Sequence, residues 1–255
     1  MAFPRVIPCL LLQDGGLVKT IGFEKAKYVG DPINAIRIFN DKEVDELMVL
    51  DIAASRQRRE PDFELIQQFA SECFMPLCYG GGINSLTQVE HLFHIGVEKV
   101  CIQTAGIENP ELIRQVADNF GSQSIVASID VKRDWLGRAK AYGSALRKPL
   151  TVGWIETMER VVAAGAGEVL LNSVDRDGTM QGLDLELVRE AANRLRIPLI
   201  AVGGVGSLND IRDGIAAGAD AVAAGAFFVF HGPHRAVLIS YPDPTELRVL
   251  SRPKP

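Results

Sequence analysis

A twelve-residue pattern occurs twice in this 255-residue chain. Met75-Pro76-Leu77-Cys78-Tyr79-Gly80-Gly81-Gly82-Ile83-Asn84-Ser85-Leu86 aligns with Ile197-Pro198-Leu199-Ile200-Ala201-Val202-Gly203-Gly204-Val205-Gly206-Ser207-Leu208, 122 residues further on. The same spacing of 122 relates Gly96-Val97-Glu98 to Gly218-Ala219-Asp220, and Glu46-Leu47 to Glu168-Val169. Near the start of each half the spacing is 119, matching Val6-Ile7 with Ile125-Val126. Fixed-period self-similarity of this size is hard to reach by chance, and two copies nearly fill the chain. It reads as a duplicated half.

Each half holds four short apolar runs. They are Val6–Leu12, Leu47–Ile52, Leu77–Tyr79 and Lys99–Ile102, then Ile125–Val131, Val169–Asn172, Leu199–Val202 and Ala221–Ala224. Near-continuous runs bounded by Gly, Pro or Asp suit parallel strands buried on both faces. Between them lie amphipathic stretches: Asp62–Ala70, Thr87–His94, Pro110–Asn119, Gly153–Ala164, Asp184–Leu195 and Leu208–Ala217. Strands alternating with helices imply right-handed βαβ units. Eight such units from two equal halves predict one α/β domain over residues 1–255, a (β/α)₈ TIM barrel built from two half-barrels. An open doubly wound sheet is the alternative. The Pro- and charge-rich stretch from Tyr241 to Pro255 reads as a loose tail.

Composition narrows the function classes. A formal net charge of −5 offers no basic excess for a nucleic-acid backbone. No apolar run approaches the roughly 18 residues of a membrane span. Four cysteines, Cys9, Cys73, Cys78 and Cys101, form no C-x-x-C pair, and two sit in apolar strand patterns. They read as reduced thiols of a cytoplasmic protein. No metal or cofactor motif is visible.

In a barrel, chemistry sits at the C-terminal strand ends and the loops that follow. Gly80-Gly81-Gly82 and Gly203-Gly204 each follow a strand and precede a helix opened by Ser85 or Ser207. Glycine lets backbone N–H groups approach an anion, and a helix N-terminus adds partial positive charge. Gln103-Thr104 and Gly225-Ala226 follow the neighbouring strands. Each pair of loops could close one phosphate site, or could be tight turns without a ligand. Asp51 and Asp130 end the second and fifth strands, and a general acid or base is the reading for Asp130. Asp177, before Gly178, is either a ligand contact or a turn residue. Lys19, in a long loop between Gln13 and Gly30, is either part of a lid or simply solvated.

At the opposite end, Arg5, Glu46, Lys99 and Glu168 stand near four strand starts. Two acids and two bases there could form a closed ionic ring, since charges facing a barrel axis are costly unless paired. His91 and His94 read as surface residues, and His231 and His234 as parts of an ordinary loop.

Taken together, Arg5-Val6-Ile7-Pro8-Cys9-Leu10, Asp14-Gly15 with Val18-Lys19, Gly30-Asp31-Pro32, Asp45-Glu46-Leu47, Leu50-Asp51-Ile52, Gly80-Gly81-Gly82-Ile83, Ser128-Ile129-Asp130-Val131-Lys132-Arg133 and Asp175-Arg176-Asp177-Gly178-Thr179 resemble the HisF family over residues 4–230. HisF is the synthase subunit of imidazole glycerol phosphate synthase. It receives ammonia from a glutaminase partner, HisH, and uses it to cleave and cyclise a bis-phosphorylated ribulosyl nucleotide (PRFAR). The resemblance implies phosphate contacts at Gly81, Gly82, Gln103 and Thr104 in one half. In the other half it implies them at Asp177, Gly203, Gly204, Gly225 and Ala226. It also implies an ammonia gate at Arg5, Glu46, Lys99 and Glu168.

One departure stands out. The family's acid–base pair lies at the ends of strands one and five. Asp130 fills the second position, but Leu11 fills the first. Leucine transfers no proton, and such help is worth about 10²–10⁴ in rate. Asp51 or Lys19 would then have to act beside Asp130. Gln103 also stands where the family usually has Asn. Leu10-Leu11-Leu12, Gly15-Gly16-Leu17-Val18-Lys19-Thr20 and His231-Gly232-Pro233-His234-Arg235-Ala236-Val237 are similar to HisF-like proteins encoded with surface-polysaccharide genes. That branch implies delivery of ammonia to a sugar amidotransferase, as in acetamidino formation, with a HisH-like glutaminase and a bis-phosphate or phosphosugar ligand.

Overall fold

The computed structural model describes residues 4–232, 234–248 and 250. The first half contains β1 (Arg5–Gln13), β2 (Gly16–Ile21), β3 (Glu24–Gly30), α1 (Pro32–Asp41), β4 (Leu47–Asp51), α2 (Ala54–Gln57), α3 (Phe63–Glu72), β5 (Leu77–Gly80), α4 (Leu86–His94), β6 (Lys99–Ile102), α5 (Thr104–Glu108) and α6 (Pro110–Phe120). The second half contains β7 (Ile125–Arg133), β8 (Ala139–Gly143), β9 (Lys148–Pro149), α7 (Trp154–Ala163), β10 (Glu168–Ser173), α8 (Leu185–Ala192), β11 (Leu199–Val202), α9 (Leu208–Ala216), β12 (Ala221–Ala224) and α10 (Ala226–Val229). A short hairpin follows, β13 (Phe230–His231) with β14 (Ala236–Val237), and then α11 (Pro244–Arg248).

The parallel order β10-β11-β12-β1-β4-β5-β6-β7 closes through pairing of β7 with β10. This is the expected eight-stranded (β/α)₈ barrel, not an open sheet. The strands alternate strictly. On β1, Ile7 and Cys9 belong to the interior cluster, while Val6, Leu10 and Leu12 pack outward against the helices. The period of two along a strand places Arg5 and Leu11 on the inner face with Ile7 and Cys9.

The duplication holds at the level of single atoms. Asp62 and Asp184 each cap a helix through the backbone N–H of Leu65 and Leu187. Ser85 and Ser207 do the same for Gln88 and Asp210. An N-cap oxygen satisfies a donor that the first helical turn leaves free. The carboxylates of Glu98 and Asp220 accept from the N–H groups of Leu77 (2.7 Å) and Leu199 (3.0 Å).

Three expectations need correction. The stretch between Gln13 and Gly30 is no open loop: β1 runs on into an antiparallel hairpin with β2 and β3. Its counterpart is the hairpin β7–β8, missed in the sequence. The stretch after Tyr241 is docked. The Tyr241 hydroxyl donates to the Val6 carbonyl at 2.9 Å, α11 follows, and Leu250 is buried; residues 251–255 lie outside the described part. Lastly, three cysteines rather than two lie on strands, Cys9, Cys78 and Cys101, all buried.

Candidate functional site

A cavity of about 200 Å³ opens at the C-terminal ends of the barrel strands. All twelve residues nominated for the mouth line it: Lys19, Asp51, Gly81, Gly82, Gln103, Thr104, Asp130, Asp177, Gly203, Gly204, Gly225 and Ala226. Leu11 lines it too. The strand tip that the acid would occupy therefore presents an isobutyl group to the cavity.

The glycine cradles match closely. Gly81 and Gly82 have φ of +117° and +75°, and Gly203 and Gly204 have +99° and +109°. A Cβ at Gly81 would stand 2.4 Å from the Asp51 carbonyl oxygen, and one at Gly203 2.7 Å from that of Ser173. Only glycine fits both the left-handed backbone and the space. Beside each cradle a helix opens, at Thr104 and at Ala226, with its first N–H groups free for an anion.

Asp130 lies on β7 and is buried. Its Oδ2 accepts from Gln103 Nε2 at 2.5 Å and from the Ser144 hydroxyl. Ser128 also donates to the carboxyl group. Burial nevertheless pushes the Asp130 carboxyl up to about 7, outweighing these donors. A carboxyl poised near neutrality can give and take a proton. The Gln103 amide, assigned to phosphate by resemblance, thus points at the acid instead. Thr104 Oγ1 donates to Gln103 Oε1 at 3.3 Å and fixes which way the amide turns.

Asp51 is engaged in its own turn. Oδ1 accepts from the N–H groups of Ala53 (2.9 Å) and Ala54 (3.0 Å), and Oδ2 pairs with Arg59 at 3.0 Å. Its register partner is Leu12, which packs outward, so the side chain does not stand opposite Asp130. Lys19 is neither a loop residue nor solvated: it lies on β2, is buried, and donates to the Cys9 carbonyl at 2.7 Å. Burial lowers its ammonium. A side chain at Gly225 would stand 2.2 Å from Lys19 Nζ, so that glycine also makes room for the lysine.

Asp177 carries more than the sequence suggested. Its carboxylate accepts from Thr20 Oγ1 at 2.7 Å, and its carbonyl accepts from the N–H of Gly22 at 3.0 Å, tying the first hairpin to the mouth. Burial raises its carboxyl, and it lies within electrostatic reach of both Asp130 and Lys19. Two residues were missed in the sequence, Ser144 and Asn172. Asn172 pairs with Asp130 across β10 and β7, and its Oδ1 is a buried acceptor without a donor. Only the closure of the barrel brings them together, so no local motif marks them.

The other end of the barrel holds the ring. Arg5 bridges Glu46 (2.7 Å) and Glu168 (3.1 Å), and Lys99 bridges the same pair at 2.9 and 3.1 Å. The four charges alternate and cancel. Above them the axis is lined by Ile7, Met48, Cys78, Val126, Leu170, Ile200 and Ala221, then by Cys9, Cys101, Val202 and Ala223. No group of three His, Cys, Asp or Glu is arranged to hold a metal ion among the described residues. No helix among them is long and apolar enough to cross a membrane.

The family model described as "Histidine biosynthesis protein" matches residues 5–233. A Pseudomonas aeruginosa protein named "Putative imidazole glycerol phosphate synthase subunit hisF2" is 54% identical over 249 residues, covering 96% of this chain and 98% of that protein. One from Leptospira interrogans, "Putative imidazole glycerol phosphate synthase subunit HisF", is 46% identical over 245 residues, 95% of this chain and 96% of its own length. "Imidazole glycerol phosphate synthase subunit HisF" of Streptomyces avermitilis is 40% identical over 226 residues, 89% and 90% of the two chains. With the closed barrel, the paired cradles and these relatives together, the chain belongs to the histidine biosynthesis protein family, within its HisF group.

Proposed function

We propose that this chain is the ammonia-receiving subunit of a glutamine-dependent amidotransferase system, with a HisH-like glutaminase docked at the ionic-ring end. The observation that carries the proposal is the contrast between the two barrel ends. The ring of Arg5, Glu46, Lys99 and Glu168 is complete. The mouth has Leu11 where the first half would supply the counterpart of Asp130. Between them runs an axis of aliphatic and thiol side chains, which suits a small neutral molecule better than an ion. Glu46 Oε1 and Glu168 Oε2 are buried acceptors without donors, so an N–H of passing ammonia would find partners there.

On this reading the cradles at Gly81-Gly82 and Gly203-Gly204 hold the two anionic ends of a bis-phosphate or phosphosugar ligand. Ammonia reaching the mouth serves amidation of a surface-polysaccharide sugar, such as acetamidino formation by an amidotransferase. The test is reconstitution with a HisH-like glutaminase encoded nearby. A stable complex in which this chain stimulates glutaminase activity supports the proposal. Absence of any complex removes it.

A second reading is a cyclase of histidine biosynthesis that recruits a different acid. Asp177 favours it, because burial raises that carboxyl and places it near Asp130. Asp51, with both oxygens already engaged, is the weaker candidate. PRFAR turnover lost on Asp177→Asn but kept on Asp51→Asn would establish this alternative.

A further inference from the structure

A second hollow, of about 330 Å³, opens at the mouth between the hairpins β2–β3 and β7–β8. It shares Phe23, Glu24, Tyr142 and Arg147 with the central cavity, so the two spaces adjoin. Its wall is one face of the second hairpin. Lys132 on β7 pairs directly with Lys140 on β8. Tyr142, two residues past Lys140, shares that face, and the Lys132 ammonium stands 5.4 Å from its ring centroid.

Two like charges directly opposite in an antiparallel pair are destabilising. Both lysines are half-buried. Among the described residues, neither they nor Arg147 has a carboxylate within ion-pair distance. The other charges of the hollow are already committed. Arg133 pairs with Asp184 (2.9 Å) and Glu186 (3.0 Å), and Asp134 holds Arg138 at 2.8 Å. Glu24 is the remaining carboxylate and is exposed. The first hairpin also sets a lysine against a lysine, Lys19 against Lys27, but resolves the pair internally. Lys19 turns inward onto the Cys9 carbonyl, and Lys27 lies 5.7 Å from the Phe230 ring centroid. In the second hairpin Lys132 has a matching ring contact with Tyr142, but among the described residues neither lysine turns onto a backbone carbonyl as Lys19 does.

We propose that this hollow is a third anion subsite, in which Lys132, Lys140 and Arg147 take a phosphate or diphosphate group of a ligand seated in the mouth. Several cations converging on one hollow suit an anion with several oxygens. The two glycine cradles are related by the duplication, whereas the cations of this hollow, Lys132, Lys140 and Arg147, all come from the second half. The subsite therefore selects a ligand with an additional anionic arm on one side. It rests on the reading of the glycine cradles as anion sites, but not on ammonia delivery, which uses none of these residues.

The test uses the full chain with inorganic pyrophosphate as probe, read by titration calorimetry and thermal melting. Lys140→Met keeps the aliphatic stem and removes the charge. In pyrophosphate-free buffer the variant should melt about 1–3 °C higher, because the like-charge pair is gone. Its affinity at this site should fall about tenfold, with binding at the central cradles retained. Lys132→Met is the second variant, with the same expected direction. A lower melting temperature for both variants without ligand, or an unchanged isotherm, overturns the proposal. So does failure of the unaltered chain to bind pyrophosphate at all. None of these outcomes bears on complex formation with a glutaminase, so the two proposals fail separately.

Discussion

The two half-barrels share one backbone plan but differ in the side chain at the tip of the first strand. Their cradles correspond in sequence position and left-handed backbone, from Gly81 and Gly203 to the serine caps behind them. Their first strands do not. β7 ends its inner face in Asp130, whereas β1 places Leu11 at the same point of the repeat. Glu46 and Glu168, again equivalent, both serve the ring. The glycine cradles and ring acids thus follow the duplication, while the strand-tip carboxylate is present in one half and replaced by Leu11 in the other. Binding geometry comes from backbone shape, and a repeat preserves it. A strand-tip carboxylate depends on one side chain, which a single substitution can replace.

The largest expected effect is on pH dependence. The Asp130 carboxyl sits at about 7 when folded, against roughly 4 when unfolded. Between these values the folded chain holds the proton more tightly, so stability falls as pH rises from 4 to 7. The loss is up to about 4 kcal/mol. Asp130→Asn should flatten that slope in denaturant melts across the window, while Leu11→Asn, in the other half, should leave the slope in place.

Next come the cradles. Gly81→Ala and Gly203→Ala should each cost about 3 kcal/mol, from a left-handed backbone plus a Cβ against a carbonyl oxygen. Urea midpoints should fall close together, with Gly81→Ala the lower, because in each half the Cβ meets a strand-end carbonyl oxygen, at 2.4 Å and 2.7 Å. A large inequality would break the equivalence.

The ring should show a smaller, equally symmetrical effect. Glu46→Gln and Glu168→Gln each leave Arg5 and Lys99 with one acid between them. Removing one partner of a buried pair costs about 3–5 kcal/mol. Arg5 keeps 28% side-chain exposure and Lys99 17%, so solvent screening reduces this to about 2 kcal/mol. Adding Lys99→Met to either variant should recover part of the loss.

Much of the barrel was legible because its signals are local. Apolar runs between Gly, Pro and Asp fixed the eight strands to within two residues, and repeated Asp and Ser caps marked helix starts. The hairpins were not legible. β3, Glu24–Gly30, is almost wholly exposed, and its strand character comes from pairing with β2, so it has no buried face to pattern. Lys19 lies on the neighbouring β2, whose burial likewise depends on the folded hairpin, so its strand position was hidden too. The cradle glycines and the ring charges lie in short motifs beside strand ends, where sequence position alone implies location. The cage around Asp130 joins Gln103, Ser128 and Ser144 from different segments, and only the folded barrel reveals it.

Our central proposal is that the aliphatic group at the tip of β1 deprives this chain of cyclase chemistry while the cradles and the ionic ring keep their roles. PRFAR turnover in ammonium salts, measured for the unaltered chain beside Leu11→Asp, tests it most directly. The account predicts no product above background for the former and measurable turnover for the latter, a gain of about 10²–10⁴. Equal, substantial turnover by both would contradict it.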